Sequence, residues 1–221
     1  MLEETKWDVL YDSEKRTLFS KIEEFAINTY FSNIFTNAIL SAANIKSGSI
    51  FEPGSGGGMA CADFAKKGFQ VTSMDLSENA LRKGKSLFKS LSLDGKFTLG
   101  DLFHMPIKDE QFDIVFNQGV MEHFRLAEMD ASAGVEEMMR VVKKNGTLVI
   151  LVPAFFSPLY FVYKIFKALN LIEKYWPYTD QDFLHKHELY EMMEKADCKN
   201  ITVKRLWSSF FFSMIGYCKK T

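Results

Sequence analysis

The sequence predicts an α/β fold: a doubly wound, mostly parallel sheet of seven strands, with helices on both faces and an antiparallel strand pair at the C-terminus. Three observations carry this. Strand-like and helix-like segments alternate from Ser49 to Pro153, as they do where helices cross between parallel strands. The stretch Phe51 to Ala62, FEPGSGGGMACA, sets a glycine-rich turn between the first strand and the next helix. The chain closes with two strand-like runs, NITVKRLW and FFFSMIGYCKK. They are too close for a crossover, so they pair antiparallel.

The elements follow in order. Two helical patterns open the chain, Ser13 to Tyr30 and Ser32 to Ala43, the first with Leu18, Ile22, Phe25 and Ala26 on one face. SIFEP is a short buried strand, and a helix follows from Gly58 to Lys67. FQVTSMD is the second strand, and Ser77 is placed to cap the helix SENALRKGKSLFKSL. KFTLGD and FDIVFNQ are further strands, VEEMMRVV a helix, and the turn KKNG leads into the apolar strand TLVILVP. Beyond Pro153 the rhythm breaks into an aromatic-rich stretch interrupted by Pro158 and Pro177, and HELYEMMEKA then reads as a helix. No internal repeat or linker interrupts the 221 residues, so a single domain is expected.

The totals narrow the function classes. With 27 basic and 28 acidic residues and no long block of one sign, the chain lacks the footprint of a phosphate-binding protein, and no nucleic-acid partner is expected. Cys61, Cys198 and Cys218 are scattered and odd in number, which fits reduced thiols rather than disulfides or metal ligands. MLEETKWDVL carries charge where a signal peptide has an apolar run, so a cytoplasmic location is expected. Ala154 to Ile172 is the most lipid-like segment, yet Pro158, Lys164 and Lys167 interrupt it and it is too short to span a bilayer.

In an open parallel sheet, ligands bind beyond the carboxyl ends of the strands, where strand order reverses. Those ends carry Glu52 and the glycines Gly54, Gly56, Gly57 and Gly58; then Asp75; then Asp101; then Asn117 and Gln118. Each alone is an ordinary turn or capping residue. As a set they describe a ligand with an amino-acid end for Glu52 and the Asn117 carbonyl, a ribose for Asp75 and an adenine amino group for Asp101.

These residues resemble the class I S-adenosylmethionine-dependent methyltransferases, of the small-molecule, methyltransferase-11-like kind. FEPGSGGG is similar to the family's acidic-x-Gly-x-Gly-x-Gly loop, with Glu52, Gly54, Gly56 and Gly58 in register. VTSMDLSENAL resembles its second motif, and GDLFHMPIKDEQFDIVFNQGVMEHF the stretch holding the adenine-binding acid and the fourth-strand motif. The resemblance implies a Rossmann-like fold and S-adenosyl-L-methionine as cofactor. It implies cofactor contacts from Glu52, Gly54, Ser55, Gly56, Gly58, Asp75, Leu76, Asp101, Leu102, Asn117 and Gln118, and no metal. It also divides the domain into N-terminal helices over the site (1–46), a cofactor-binding core (47–153), an aromatic-rich insertion (154–184), and the late helix with the last two strands (185–221). Lys144-Asn145 and Asp197 depart from the family's usual Pro-Gly and glycine, away from the cofactor.

The nearest competitor is a nicotinamide-dependent dehydrogenase, whose loop reads G-x-G-x-x-G. Counted from Gly54, its third glycine falls on Met59, and Glu52 would face a pyrophosphate. A cofactor-binding partner subunit without its own catalysis is the other alternative. For a methyltransferase, the protein's main task is to align acceptor and methyl donor and to exclude water. A base is needed only where the acceptor loses a proton; His123 is the candidate, with capping or packing as the alternative. His185, His187, Tyr11, Tyr175 and Tyr178 are read as packing. The insertion AFFSPLYFVYKIFKALNLIEKYWPYTDQDFLHKH points to a small apolar acceptor, quinone-, lipid- or polyketide-like, or to a peripheral membrane contact through 154–172. Unless these rings only cover the sheet, a helix from Leu159 to Leu169 would act as a lid, with Tyr160, Tyr163, Lys164 and Lys167 on one side and Phe161, Ile165 and Ala168 on another. The oligomeric state is not legible.

Overall fold

The computed structural model describes residues 32–126, 129–175, 182–209 and 212–221. Seven strands, β1 (Ser49–Pro53), β2 (Gln70–Asp75), β3 (Lys96–Leu99), β4 (Phe112–Gln118), β5 (Val142–Pro153), β6 (Thr202–Arg205) and β7 (Ser213–Lys219), form one sheet in the order β3-β2-β1-β4-β5-β7-β6. β7 runs antiparallel to both of its neighbours, and the other pairings are parallel. The described helices are α1 (Ser32–Ala43), α2 (Met59–Lys66), α3 (Glu78–Ser90), α4 (Glu122–Leu126), α5 (Ala131–Val141), α6 (Pro158–Ala168), α7 (Ile172–Tyr175) and α8 (Lys186–Lys195).

Alternation along the central strands feeds two cores. Val115, Leu148, Ile150 and Val152 point to one face, where they meet Val135 and Met138 of α5 and Leu189 and Met193 of α8. Ile114, Phe116, Val149 and Leu151 point to the other, against Phe35 and Ile39 of α1, Phe64 of α2 and Phe88 of α3. A period of two with both faces covered is the signature of a sheet buried between helical layers.

The helices begin where the sequence supplies caps. Ser77 Oγ accepts from the Ala80 N–H at 3.1 Å at the head of α3. Ser157 does the same for Tyr160 at 3.1 Å at the head of α6, with Pro158 in the first turn.

Two expectations need correction. α5 starts at Ala131, ahead of VEEMMRVV, because Asp130 caps it by accepting from the Ser132 N–H at 3.0 Å. KKNG is not a turn outside the strand but a bulge within β5. The register moves from Phe112↔Val142 to Ile114↔Thr147, so one β4 residue (113) faces four of β5 (143–146). Asn145, at φ 62°, makes the excursion. The expected helix Ser13–Tyr30, with Leu18, Ile22, Phe25 and Ala26, lies outside the described residues, as do Tyr11, Pro177 and Tyr178. Among the described residues no helix is long and apolar enough to cross a membrane.

Candidate active site

The central strands part at their carboxyl ends. β1 pairs with β2 over five positions, Ser49 to Pro53, but with β4 only at Ile50↔Ile114 and Phe51↔Val115. Strand order reverses between β1 and β4, and a crevice opens beyond the last shared rung. One side chain bridges it: Asn117 Nδ2 donates to the Pro53 carbonyl at 2.7 Å. That bond fixes the amide's orientation and leaves Asn117 Oδ1 buried without a hydrogen-bond partner.

The glycine loop fills the mouth of this crevice. The N–H groups of Gly54 and Ser55 both donate to the Met74 carbonyl, at 2.7 and 2.9 Å. Gly54, Gly56 and Gly58 hold φ of 72°, 51° and 71°, a region costly for any residue with a Cβ. Space is short as well: a Cβ on Gly54 would stand 2.7 Å from Val120 Cγ2.

Asp75 closes the loop from the far side. Its Oδ2 accepts from the Gly56 N–H at 2.7 Å and its Oδ1 from the Ser77 N–H at 2.9 Å. The carboxylate that ends β2 therefore holds both the loop and the entry to α3.

Glu52 lies at the base of the crevice, 4% exposed. Burial, reinforced by the Asp75 charge, pushes its pKa up to about 8, against a hydrogen bond from Cys61 that favours the carboxylate. Burial and the neighbouring Glu52 in turn push the Cys61 thiol up. Glu52 Oε2, Ser55 Oγ and Ser73 Oγ are buried without hydrogen-bond partners.

The other expected residues sit around this nucleus. Asp101 is exposed at the rim, accepting from the Phe103 N–H at 3.0 Å. The preceding Gly100 N–H donates to the Asp75 carbonyl at 3.1 Å, which keeps the two acids at adjacent strand ends. Glu137 and Arg140 of α5 hold the rest of this loop, Glu137 accepting from the Met105 N–H at 3.2 Å and Arg140 donating to the Ile107 carbonyl at 2.7 Å. Leu76 and Gln118 are half-buried. The Leu102 side chain belongs to the core, 3.1 Å from where a Cβ on Gly134 would stand. His123 is buried on the single turn of α4 just beyond β4.

Three residues at the site were not singled out from the sequence. Glu122 is 1% exposed beside His123, and its Oε1 would be 3.7 Å from a Cβ on Gly119. Ser73 and Cys61 complete the surroundings of Glu52. The motif VMEHF contains Glu122, but nothing local tells a buried carboxylate from a helix-opening one.

Past the end of β5, rings gather. Phe155 lies 4.6 Å from Tyr160 and 3.9 Å from His185, centroid to centroid, and Tyr160 lies 5.5 Å from Phe183. This cluster seats the inner side of α6. The outer side, including Phe161 and Ile165, is exposed.

The set at the crevice is rich in acceptors: Glu52 Oε2, Asn117 Oδ1, Asp75 and Asp101. Such a set suits a ligand that brings an ammonium, ribose hydroxyls and an adenine amino group, and it repels a diphosphate. The glycine backbone leaves the close approach such a ligand needs. These residues fit S-adenosylmethionine.

Comparison with known proteins agrees. A family described as "Methyltransferase domain" matches residues 51–150. Demethylmenaquinone methyltransferase of Staphylococcus aureus (strain MRSA252) is 30% identical over 167 residues, which span 68% of this chain and 66% of that protein. Norajmaline N-methyltransferase of Rauvolfia serpentina is 29% identical over 124 residues, 55% of this chain and 39% of that one. The chain thus spans less than two thirds of these relatives' length. The crystal structure of magnesium protoporphyrin IX methyltransferase from Synechocystis PCC 6803 with bound SAH superimposes with a TM-score of 0.69 at 16% identity, covering 96% of this chain and 93% of that one. Residues 51–150 thus carry a methyltransferase domain of the S-adenosylmethionine-dependent kind, whose cofactor is S-adenosylmethionine.

Proposed function

We propose that the protein transfers a methyl group from S-adenosylmethionine to a small apolar acceptor of quinone-, lipid- or polyketide-like chemistry. The observation that carries the cofactor half is the group of buried, unpartnered oxygens on Glu52, Ser55, Ser73 and Asn117 beside a glycine loop. Buried polar atoms are almost always hydrogen-bonded, so a cluster without partners marks a place where a ligand supplies them.

In this reading Glu52 and Asn117 hold the amino-acid end. Asp75 and the main chain of Gly54, Ser55, Gly56 and Gly58 hold the ribose end, with Leu76 alongside. Asp101, Leu102 and Gln118 border the adenine. The cofactor supplies an electrophilic methyl on a sulfonium; the chain supplies alignment and a site that excludes water, worth several kcal/mol of barrier. Where the acceptor is a hydroxyl, His123 is the base that takes its proton.

The acceptor half is supported by the rings that follow β5, and by the Staphylococcus aureus relative being named a demethylmenaquinone methyltransferase. Three buried free cysteines support a cytoplasmic setting. The test is transfer of labelled methyl from S-adenosylmethionine to a prenylated naphthoquinol, a fatty acid, a polyketide phenol and, as a control, transfer RNA. Label in the organic phase is expected. Label only in RNA would contradict the acceptor class, and cofactor binding with no transfer to any extract would favour a non-catalytic partner subunit.

A further inference from the structure

We propose that the outer face of α6, with Trp207, is a docking surface for an anionic lipid bilayer. Five side chains compose its row, Phe156, Phe161, Val162, Ile165 and Leu169, and Trp207 stands exposed on the turn after β6. All are exposed, Phe156 at 63%, Ile165 at 57% and Trp207 at 75%. Of the eleven exposed large apolar side chains among the described residues, five fall between 156 and 169, so they form a patch rather than the usual scatter.

The helix is built to show this face. No residue of α6 is buried. Tyr160 and Tyr163 turn inward onto Phe155 and Phe183, at 5.5 Å and 5.3 Å for their contacts with Phe183. Phe161, Ile165 and Leu169, spaced by four, therefore run along the side turned away from the domain. Phe156 extends the row, its ring 5.0 Å from Phe161. Arg205 at the end of β6 donates to the Phe155 carbonyl at 2.6 Å. Trp207 follows two residues on, exposed in the turn beyond the end of β6.

Charge chooses the occupant. Lys164 and Lys167 leave the helix on the side of Tyr160 and Tyr163, at the flank of the apolar row, and are exposed there, Lys164 Nζ 6.0 Å from the centre of the Tyr160 ring; no Asp or Glu occurs in the sequence between Glu137 and Glu173. An isologous contact between two copies would set these lysines against each other with no acid on the segment to pair them. An anionic headgroup layer answers the lysines while the acyl boundary takes the Phe, Ile and Leu row and the interfacial region takes the Trp. Docking of this kind does not depend on which molecule is methylated.

The test is co-sedimentation of the full chain with vesicles of phosphatidylcholine alone and of phosphatidylcholine with phosphatidylglycerol. Binding to the anionic vesicles is expected to be about ten-fold tighter or more and to weaken in high salt, each lysine being worth about five-fold near such a surface. Ile165→Glu with Leu169→Glu should abolish it, and Lys164→Glu with Lys167→Glu should remove the preference for anionic lipid. Unchanged S-adenosylmethionine binding by the variants would show that they fold. The proposal is overturned if the wild-type chain stays in the supernatant with both vesicles, if the apolar variant binds as the wild type does, or if sedimentation velocity finds a dimer that Ile165→Glu dissociates.

Discussion

Asp75 Oδ2 accepts the backbone N–H of Gly56 at 2.7 Å, across 19 residues of chain. The acid read from the sequence as a ribose ligand is therefore also the clasp of the glycine loop, and its second oxygen holds Ser77 at the start of α3. In the proposed site one carboxylate serves both binding and loop architecture.

Asp75→Ala should consequently cost in two measurements. Without ligand, it leaves two buried N–H donors unanswered, at roughly 1–3 kcal/mol each, and lowers the melting temperature by several degrees. With ligand, S-adenosylmethionine affinity falls by about two orders of magnitude, the loss of charge-assisted bonds to two hydroxyls. Calorimetric titration and thermal melts check the two halves. An unchanged ligand-free melting temperature would remove the clasp role.

Gly54→Ala tests the close approach. The new Cβ would meet Val120 Cγ2 at 2.7 Å and force an L residue to φ 72°. Cofactor affinity should fall at least ten-fold. Adding Val120→Ala should recover the steric part only, leaving about 1–2 kcal/mol of backbone strain. Full recovery in the double variant would mean that the left-handed conformation is not required.

Glu52 sets a pH dependence whose sign is unusual for a carboxylate. Burial raises its folded pKa to about 8 from an ordinary 4.5, so the folded chain binds more protons than the unfolded one between these values. Its ionisation is then a cost that is absent below about pH 4.5, grows as pH rises and is complete above about 8. Ligand-free Glu52→Gln should melt with the wild type near pH 4.5 and above it at pH 8. The same variant should bind S-adenosylmethionine more weakly at pH 8, because the cationic amino group loses its counter-charge. Melts of both proteins across this range decide it.

Phe155→Ala should act on the acceptor side. Its ring contacts Tyr160 and His185, so removing it loosens α6 at the end of β5. Turnover of the acceptor should fall several-fold or more while cofactor affinity stays within about two-fold. An equal loss of cofactor affinity would place the ring in the cofactor's own pocket.

Much of this arrangement was legible in the chain. β4 ran as read, Phe112 to Gln118, because its apolar alternation is bounded by turn residues on both sides. The glycine loop, Glu52, Asp75 and Asn117 were found because a parallel sheet dictates where its strand ends gather. What escaped depends on contacts distant in sequence. The Asn-Gly of KKNG reads alike as a turn or a bulge, and only the pairing of Ile114 with Thr147 tells them apart. The start of α5 was missed because ASAG carries no apolar period, though Asp130 was there as its cap. Glu122 was passed over because its depth is set by packing around α4. On α6, the spacing separated Tyr160 and Tyr163 from Phe161 and Ile165, but it could not say that the tyrosines turn inward.

In the proposed function the crevice between β1 and β4 holds S-adenosylmethionine on Glu52, Asp75 and the glycine loop. Isothermal titration of S-adenosylmethionine into the wild-type chain and into Asp75→Ala, with NADH as the comparison ligand, tests it most directly. The expected result is one site per chain, binding weakened about a hundred-fold by the substitution, and no heat with NADH. Binding of S-adenosylmethionine that is indifferent to Asp75, or a titration that is flat with S-adenosylmethionine and saturates with NADH, would contradict it.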